Sequence, residues 1–196
     1  MLIDATVDQY EGARFMQCIP FSETRMRIED SYYSDSPDVE PDRSAARLDA
    51  YLAKRRWKPA QLEREEVSVL PVAIDGDFGA FWRVGGARVA KLGMRGGFFH
   101  PSTGSTISDA VRTALLLTKQ RELEGAALHD RFEEEAAASW RRRESYRGFN
   151  AALFRSGHDR RRMLEELYQL DPAFLARFHA DKMGMLDRLR LGKIGR

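Results

Sequence analysis

The chain has 196 residues, of which 43% are hydrophobic and 32% charged, with a formal net charge of +2. That balance describes a globular protein able to bury a real core and excludes a disordered or fibrous one. Its single cysteine, Cys18, rules out an internal disulfide framework and points to a reducing compartment; set in an apolar run, Cys18 reads as an inert core thiol.

The first third reads as strands. Leu2–Val7 looks like a strand already under way, and the acidic start MLIDATVDQYEG is not a signal peptide. Arg14–Ile19 is short, apolar and stopped by Pro20. Phe21–Thr24 makes a hairpin connection to a second strand over Arg25–Tyr33, and Ser34–Asp38 is a loop. A helix follows from Pro41 or Asp42 to Trp57, with Leu48, Tyr51, Leu52 and Arg55 as its core stripe. Glu66–Ile74, EVSVLPVAI, predicts a further strand, at an edge or bulge because of Pro71. A turn over Asp75–Gly79 comes next.

The segment GGFFHPSTGSTISDA (96–110) then opens a helix. It lacks the lysine of a phosphate loop, yet a glycine turn feeding a helix start is a plan that receives an anion or a flat cofactor. Thr106 and Asp109 match a capping pair, and Ala110, Val111, Ala114, Leu115 and Thr118 share one helical face. Helices are predicted near 129–155, 160–170, 172–181 and 185–191, with breaks at Gly157 and Pro172. The order of elements gives an α+β class: a sheet-rich portion with one helix (1–92), the glycine loop and its helix (93–128), and a helical region (129–196). No Cys–His cluster has zinc spacing, so no metal is expected, and no stretch approaches the ~20 apolar residues of a membrane span.

Charge is uneven. From Ala136 onward there are 14 basic and 7 acidic residues, against 18 basic and 23 acidic in the remainder. The runs Arg141–Arg143 and Arg160–Arg162 read either as solvated helix faces or, with Trp140 and Phe149 as apolar anchors, as a surface for anionic lipid. Nucleic acid is not an expected partner, since neither a recognition helix nor a stacking sheet is evident.

Two further features carry possible chemistry. Glu29 and Asp30, adjacent on a strand, point to opposite faces: Asp30 with Met26 and Ile28, Glu29 with Arg25 and Arg27. Either this is an ordinary Arg27–Glu29 neighbour pair, or one carboxyl is an acid–base group in an apolar cavity; periodicity does not choose between the two carboxyls. His100 is either a hydrogen-bonded structural residue or part of a ligand surface, in a loop whose glycines at 93, 96, 97 and 104 permit backbone positions closed to other residues.

Taken together, IDATVDQ (3–9), FMQCIPFSETRMRIEDSYYSDSP (15–37), VLPVAIDGDF (69–78), GGFFHPSTGST (96–106) and NAALFRSGHDRRRMLEELYQLDPAFLARFHA (150–180) resemble the bacterial lycopene β-cyclase family of carotenoid biosynthesis. The family pattern has a Pro-Leu/Phe-Ser-x-Thr-Arg turn, an Ile/Val-Glu-Asp-Thr-x-Tyr-Ser-Asp strand and loop, and Gly-x-Phe-His-Pro-Thr-Thr-Gly-Tyr-Ser. Departures are Ser102 for threonine, Ser105 for tyrosine, Ser108 for proline and Ala13 for tyrosine.

The resemblance implies the C-terminal portion of a two-domain FAD-binding flavoprotein fold, with a mixed or antiparallel sheet followed by a helical region. It implies reduced FAD, NAD(P)H as reductant, and lycopene as substrate, isomerised without net redox change. It assigns acid–base duty to Glu29 with Asp30 beside it. Gly96, Gly97, His100, Pro101, Ser102, Thr103, Gly104, Ser105 and Thr106 then form the loop that approaches the flavin, and the helix start after them faces its pyrophosphate. A C40 hydrocarbon implies a cytoplasmic protein peripheral on the inner membrane. The family's Gly-x-Gly-x-x-Gly unit has no counterpart here, so Met1 is expected to lie inside a strand of a longer protein whose N-terminal half is a missing or separate chain. Alone, this chain is expected to bind FAD poorly and to have little activity; the rival of a different class is a non-enzymatic module that binds a membrane or a partner.

Overall fold

The computed structural model describes residues 2–10, 13–86 and 88–195. Met1, with its expected place inside a strand, lies outside them. The chain is α+β and divides into two compact units, residues 1–69 with 156–165, and residues 70–155 with 166–196.

The first unit holds a three-stranded antiparallel sheet in the order β1 (Leu2–Asp4), β2 (Arg14–Pro20), β3 (Met26–Tyr32). The hairpin between β2 and β3 closes through Phe21 and Ser22 N–H donating to the Arg25 carbonyl. Alternation decides the faces: Met16 and Cys18 are buried with Tyr51, and Val7, Ile28 and Leu48 pack on them. Tyr51 and Leu48 come from α1 (Pro41–Arg55), which therefore covers that sheet face. Pro41 and Asp42 suit the first turn, and Lys54 and Arg55 the last. Arg56 ends the helix in the left-handed region, its N–H on the Ala53 carbonyl while Trp57 N–H reaches Leu52. Cys18 is buried, as a core thiol should be.

The strand expected over Glu66–Ile74 does not form: no strand is present there, and Val67, Val69 and Leu70 are exposed. β-Branched residues make a strand only where a sheet edge accepts their N–H and C=O groups. Among the described residues this segment makes one backbone bond, Ala73 N–H to the Pro101 carbonyl at 2.9 Å, and Pro71 has no N–H to offer.

The second unit is helical. The turn at 75–79 instead opens α2 (Phe78–Arg83), capped by Asp77, whose side chain accepts from Ala80 N–H at 3.0 Å. A 3-10 turn over Gly93–Gly96 and the glycine loop lead into α3 (Ile107–Leu117). The single helix expected over 129–155 is two, α4 (Gly125–Arg142) and α5 (Glu144–Arg155), broken at Arg143. After a 3-10 turn at Gly157–Asp159, α6 (Arg160–Tyr168) crosses the boundary between the units in sequence, and α7 (Pro172–His179) and α8 (Met185–Leu191) complete the second. Its core is Trp82, Phe98, Phe132 and Ala136, with Phe78, Leu116 and Leu128 packed against them. Among the described residues no helix is long and apolar enough to cross a membrane.

Candidate active site

In the first unit the two adjacent carboxylates have opposite environments. Asp30 stands on the face covered by α1 with its side chain only 2% exposed, held between two arginines: Arg14 Nε on Oδ1 and Arg47 Nε on Oδ2, both at 2.6 Å. Glu29 stands on the other face, 29% exposed, ion-paired with half-exposed Arg27. Its cross-strand partner is Gln17, itself opposite Ile3, and Phe15 and Ile19 are the diagonal neighbours. Phe15, Gln17 and Ile19 are half-buried and Ile3 exposed, and Arg27 and Ser31 share the face with Glu29, so this is a mixed surface with Phe15 and Ile19 flanking one carboxyl. The register thus shows the Arg27–Glu29 neighbour pair.

The same unit holds a carboxylate that strand patterning did not single out. Asp4 accepts from the Thr6 hydroxyl (2.6 Å) and N–H (2.9 Å), from Tyr51 (3.1 Å) and from Arg55. The Thr6 hydroxyl foremost, and then the other donors, outweigh burial and hold its carboxyl well below the usual range. Burial, with Cys18 and Asp4 alongside, pushes the Tyr51 phenol up to about 12. These groups fasten β1 to α1; the signal in sequence is only an acid at the end of an apolar strand.

In the second unit the glycine loop is closed on itself. His100 N–H donates to the Ser105 carbonyl (2.8 Å) and Gly104 N–H to the His100 carbonyl (2.9 Å). Gly104 has φ +68°, and a Cβ there would lie 2.7 Å from Leu70 Cβ, so any side chain at this position is strained. His100 is buried. Its Nε2 donates to the Phe178 carbonyl at 2.9 Å while Nδ1 accepts from Ser102 N–H at 3.3 Å, which defines a neutral tautomer. Burial pushes its pKa below the ordinary value, and Tyr146 and Phe178 meet its ring at centroid distances of 4.9 and 5.2 Å. Both ring nitrogens of His100 are thus engaged within the second unit. Pro101 and Ser102 are buried, Thr103 and Thr106 half-buried, Ser105 exposed. Thr106 is the N-cap of α3 but makes no side-chain capping bond. The expected capping pair fails because Asp109 turns inward instead.

That inward turn reveals a residue the arginine run concealed. Arg143, buried at the α4–α5 break, donates from Nη2 to both Asp109 oxygens (2.8 Å each), from Nε and Nη2 to Asp181 Oδ2 (2.9 and 2.8 Å), and from Nη1 to the Phe99 carbonyl (3.0 Å). Arg160, first of the other run, is also buried and pairs with Asp35 at 2.5 Å. Neither run is simply a solvated face. With Asp109 buried, the helix face of Ala110, Val111, Ala114, Leu115 and Thr118 is turned outward.

Beside the loop lies a cavity of about 170 Å³, lined by Phe78, Phe81, Gly97, Phe99, Pro101 and Trp140 among others. Gly97 has φ +72°, and a Cβ there would approach Phe81 and Phe78 at 3.5 and 3.9 Å. Asn150, fully buried, donates to the carbonyls of Ala73 (2.8 Å) and Pro101 (3.0 Å), while its Oδ1 has no partner among the described residues. His129, Asp130 and Glu133 cluster at the start of α4, but both His129 nitrogens are engaged: Nε2 accepts from Trp82 Nε1 (3.0 Å) and Nδ1 donates to Asp130 (2.8 Å).

The family model described as lycopene cyclase protein matches residues 1–194. The chain is 35% identical over 193 residues to a lycopene beta-cyclase of Pantoea ananas, covering 97% of this chain and 50% of that protein. It is likewise 35% identical over 194 residues to one of Paracoccus sp. (strain N81106 / MBIC 01143), and 33% identical over 193 residues to one of Pseudescherichia vulneris, with the same coverage. The chain therefore spans about half the length of these relatives. No solved structure matches it. With 194 of its residues inside one family model and relatives at a third identity along nearly its whole length, the chain belongs to the lycopene cyclase family.

Proposed function

We propose that this chain carries the acid–base group and part of the flavin-contacting surface of a lycopene β-cyclase, acting together with the remaining half of the length its relatives have. The observation that carries the reading is the division of labour between two neighbouring carboxylates. Asp30 has each oxygen committed to an arginine and anchors β3, whereas Glu29 stands on the opposite face, partly exposed between Phe15 and Ile19 and paired only with Arg27 among the described residues. Covering a carboxyl with hydrocarbon favours its proton-carrying form, and an acyclic carotene end laid on this face would do that.

Glu29 then delivers its proton to C2 of the end group. The cation forms at C1, the C5=C6 electron pair closes the C1–C6 bond, and the proton on C6 leaves to give the β-ring. One proton enters and one departs, and no electrons are exchanged. Arg27, paired with Glu29, holds the carboxylate once the proton has gone.

The loop residues fit a flat aromatic group: Gly97 keeps a side chain out of the aromatic cavity, and Phe78, Phe81, Phe99 and Trp140 wall it. Gly96 to Thr106 would contact FAD there. Reduced FAD, maintained by NAD(P)H, would supply electron density able to steady a carbocation. Gly104 and His100 keep the loop in shape, and Arg143 holds the Phe99 carbonyl. Such a protein belongs on the cytoplasmic face of the inner membrane, where a C40 hydrocarbon is dissolved.

The test is coexpression with the N-terminal half of a relative in cells that accumulate lycopene, scoring β-rings by chromatography. Glu29→Gln should lower ring formation by at least ~10²-fold, the scale of a positioned proton donor. Undiminished cyclisation by that variant would refute the assignment. The isolated chain should purify colourless and inactive; a yellow, active preparation would refute the need for a second half.

A further inference from the structure

Helix α8 is amphipathic in the reverse of the usual sense. Its inward face is Asp187 and Leu191, both buried, and Met183 just ahead of the helix is buried too. Asp187 ties it to α7 by accepting from Arg177 Nε and Nη2, both at 2.7 Å, and to its own first turn by accepting from Gly184 N–H at 3.1 Å. This anchoring leaves Met185, Leu186 and Leu189 outward, at 76%, 71% and 60% exposure. At about 100° per residue, those three cover an arc of roughly 100°, with Arg188 beyond one edge and Arg190 beyond the other. Lys182 precedes the helix and Lys193 follows it. Lys182, Arg188 and Lys193 have no ion-pair partner among the described residues, and Arg190 has an exposed pair with Asp171 at 3.2 Å and the charge of Asp187 nearby.

An exposed apolar arc bounded by cations matches one kind of partner: acyl chains below, anionic headgroups beside. A second exposed apolar stripe of this unit, Ile107, Val111 and Leu115 on α3, has a weaker cationic border, because Arg112 beside it is committed to Asp109 and Asp181. We infer that the outward face of α8 is the surface by which this chain docks on an anionic lipid bilayer, with Met185, Leu186 and Leu189 entering the acyl boundary and Arg188, Arg190 and Lys193 facing phosphates. The inference rests on the proposed membrane contact and says which surface makes it.

The test is cosedimentation of the 196-residue chain with phosphatidylcholine vesicles and with equimolar phosphatidylglycerol–phosphatidylcholine vesicles. Binding should favour the anionic vesicles. The M185S/L186S/L189S variant should bind them more than about tenfold more weakly, from the apolar area lost. Neutralising Arg188 and Lys193 to glutamine should cost about fivefold per cation, and I107S/V111S/L115S should bind as the unaltered chain does. A dye on Leu186→Cys, with Cys18 buried, should shift to shorter wavelength on the anionic vesicles, which keeps the test decisive even if the triple serine variant folds badly. If the unaltered chain binds and neither the α8 variants nor the dye respond, α8 is not the surface although membrane contact stands. If the unaltered chain does not bind at all, both are overturned.

Discussion

Arg143 offers the sharpest test of how the second unit is held together. Arg143→Met keeps most of the side-chain volume and removes the charge, leaving Asp109 and Asp181 without one of their two shared donors and the Phe99 carbonyl without its Nη1 bond. Breaking one partner of a buried ion pair costs about 3–5 kcal/mol, and an unsatisfied buried carbonyl about 1–3 kcal/mol. Arg112, at 2.9 Å from Asp109 and 3.3 Å from Asp181, takes up part of the load, so a net loss of about 3 kcal/mol is expected, a large fraction of the ~5–15 kcal/mol typical of a folded protein. The measurement is urea unfolding followed by tryptophan fluorescence in a Trp57→Phe background, where Trp82 and Trp140 report on the second unit alone. Arg142→Met, which removes only an exposed 3.2 Å pair with Glu135, should cost less than about 1 kcal/mol. Arg143→Lys should recover little, since an ammonium cannot reproduce a fork spread over three acceptors. Equal losses for the 142 and 143 variants would refute the reasoning.

The same unfolding assay separates two glycines. Gly104→Ala should destabilise by about 2–4 kcal/mol, from a left-handed backbone and a Cβ pressed on Leu70, whereas Gly148→Ala, in mid-α5 with nothing within 4 Å, should stabilise by about 0.5–1 kcal/mol. Burial lowers the His100 pKa, so the unfolded chain binds a proton that the folded one refuses. Stability should therefore be full above the ordinary value of 6.5 and fall as pH drops below it, and His100→Gln should flatten that part of the profile. Arg177 holds the Asp187 carboxyl at about 2, so its contribution is complete above the ordinary 3.8 and is lost as pH falls through the lower value; the stability gap between the unaltered chain and Asp187→Asn should close over that range.

Much of the architecture is readable from the chain alone. Pro41 with Asp42 opens α1, Pro172 after Asp171 opens α7, and the alternation of β2 and β3 separates Asp30 from Glu29, all as periodicity and capping require. The glycine loop stands out by composition, and so does the core thiol of Cys18. These features depend on neighbours within a few positions, where backbone sterics and local hydrogen bonds dominate.

Other properties come from partners far apart in sequence. EVSVLPVAI has the composition of a strand, but pairing needs a sheet edge that local propensity cannot supply. Thr106 and Asp109 satisfy a capping pattern, yet Asp109 pairs instead with Arg143, 34 positions away. A run of three arginines looks uniform until one member of each run is found buried against an acid. Likewise α8 has the mixed composition of an ordinary amphipathic helix, and only its anchorage through Asp187 and Arg177 turns the apolar side to solvent. Local spacing determines where helices and strands begin and end; which face is buried, and which charges remain available to a ligand or a lipid, is decided by tertiary packing, because burying a charge is tolerable only where a distant counter-charge meets it.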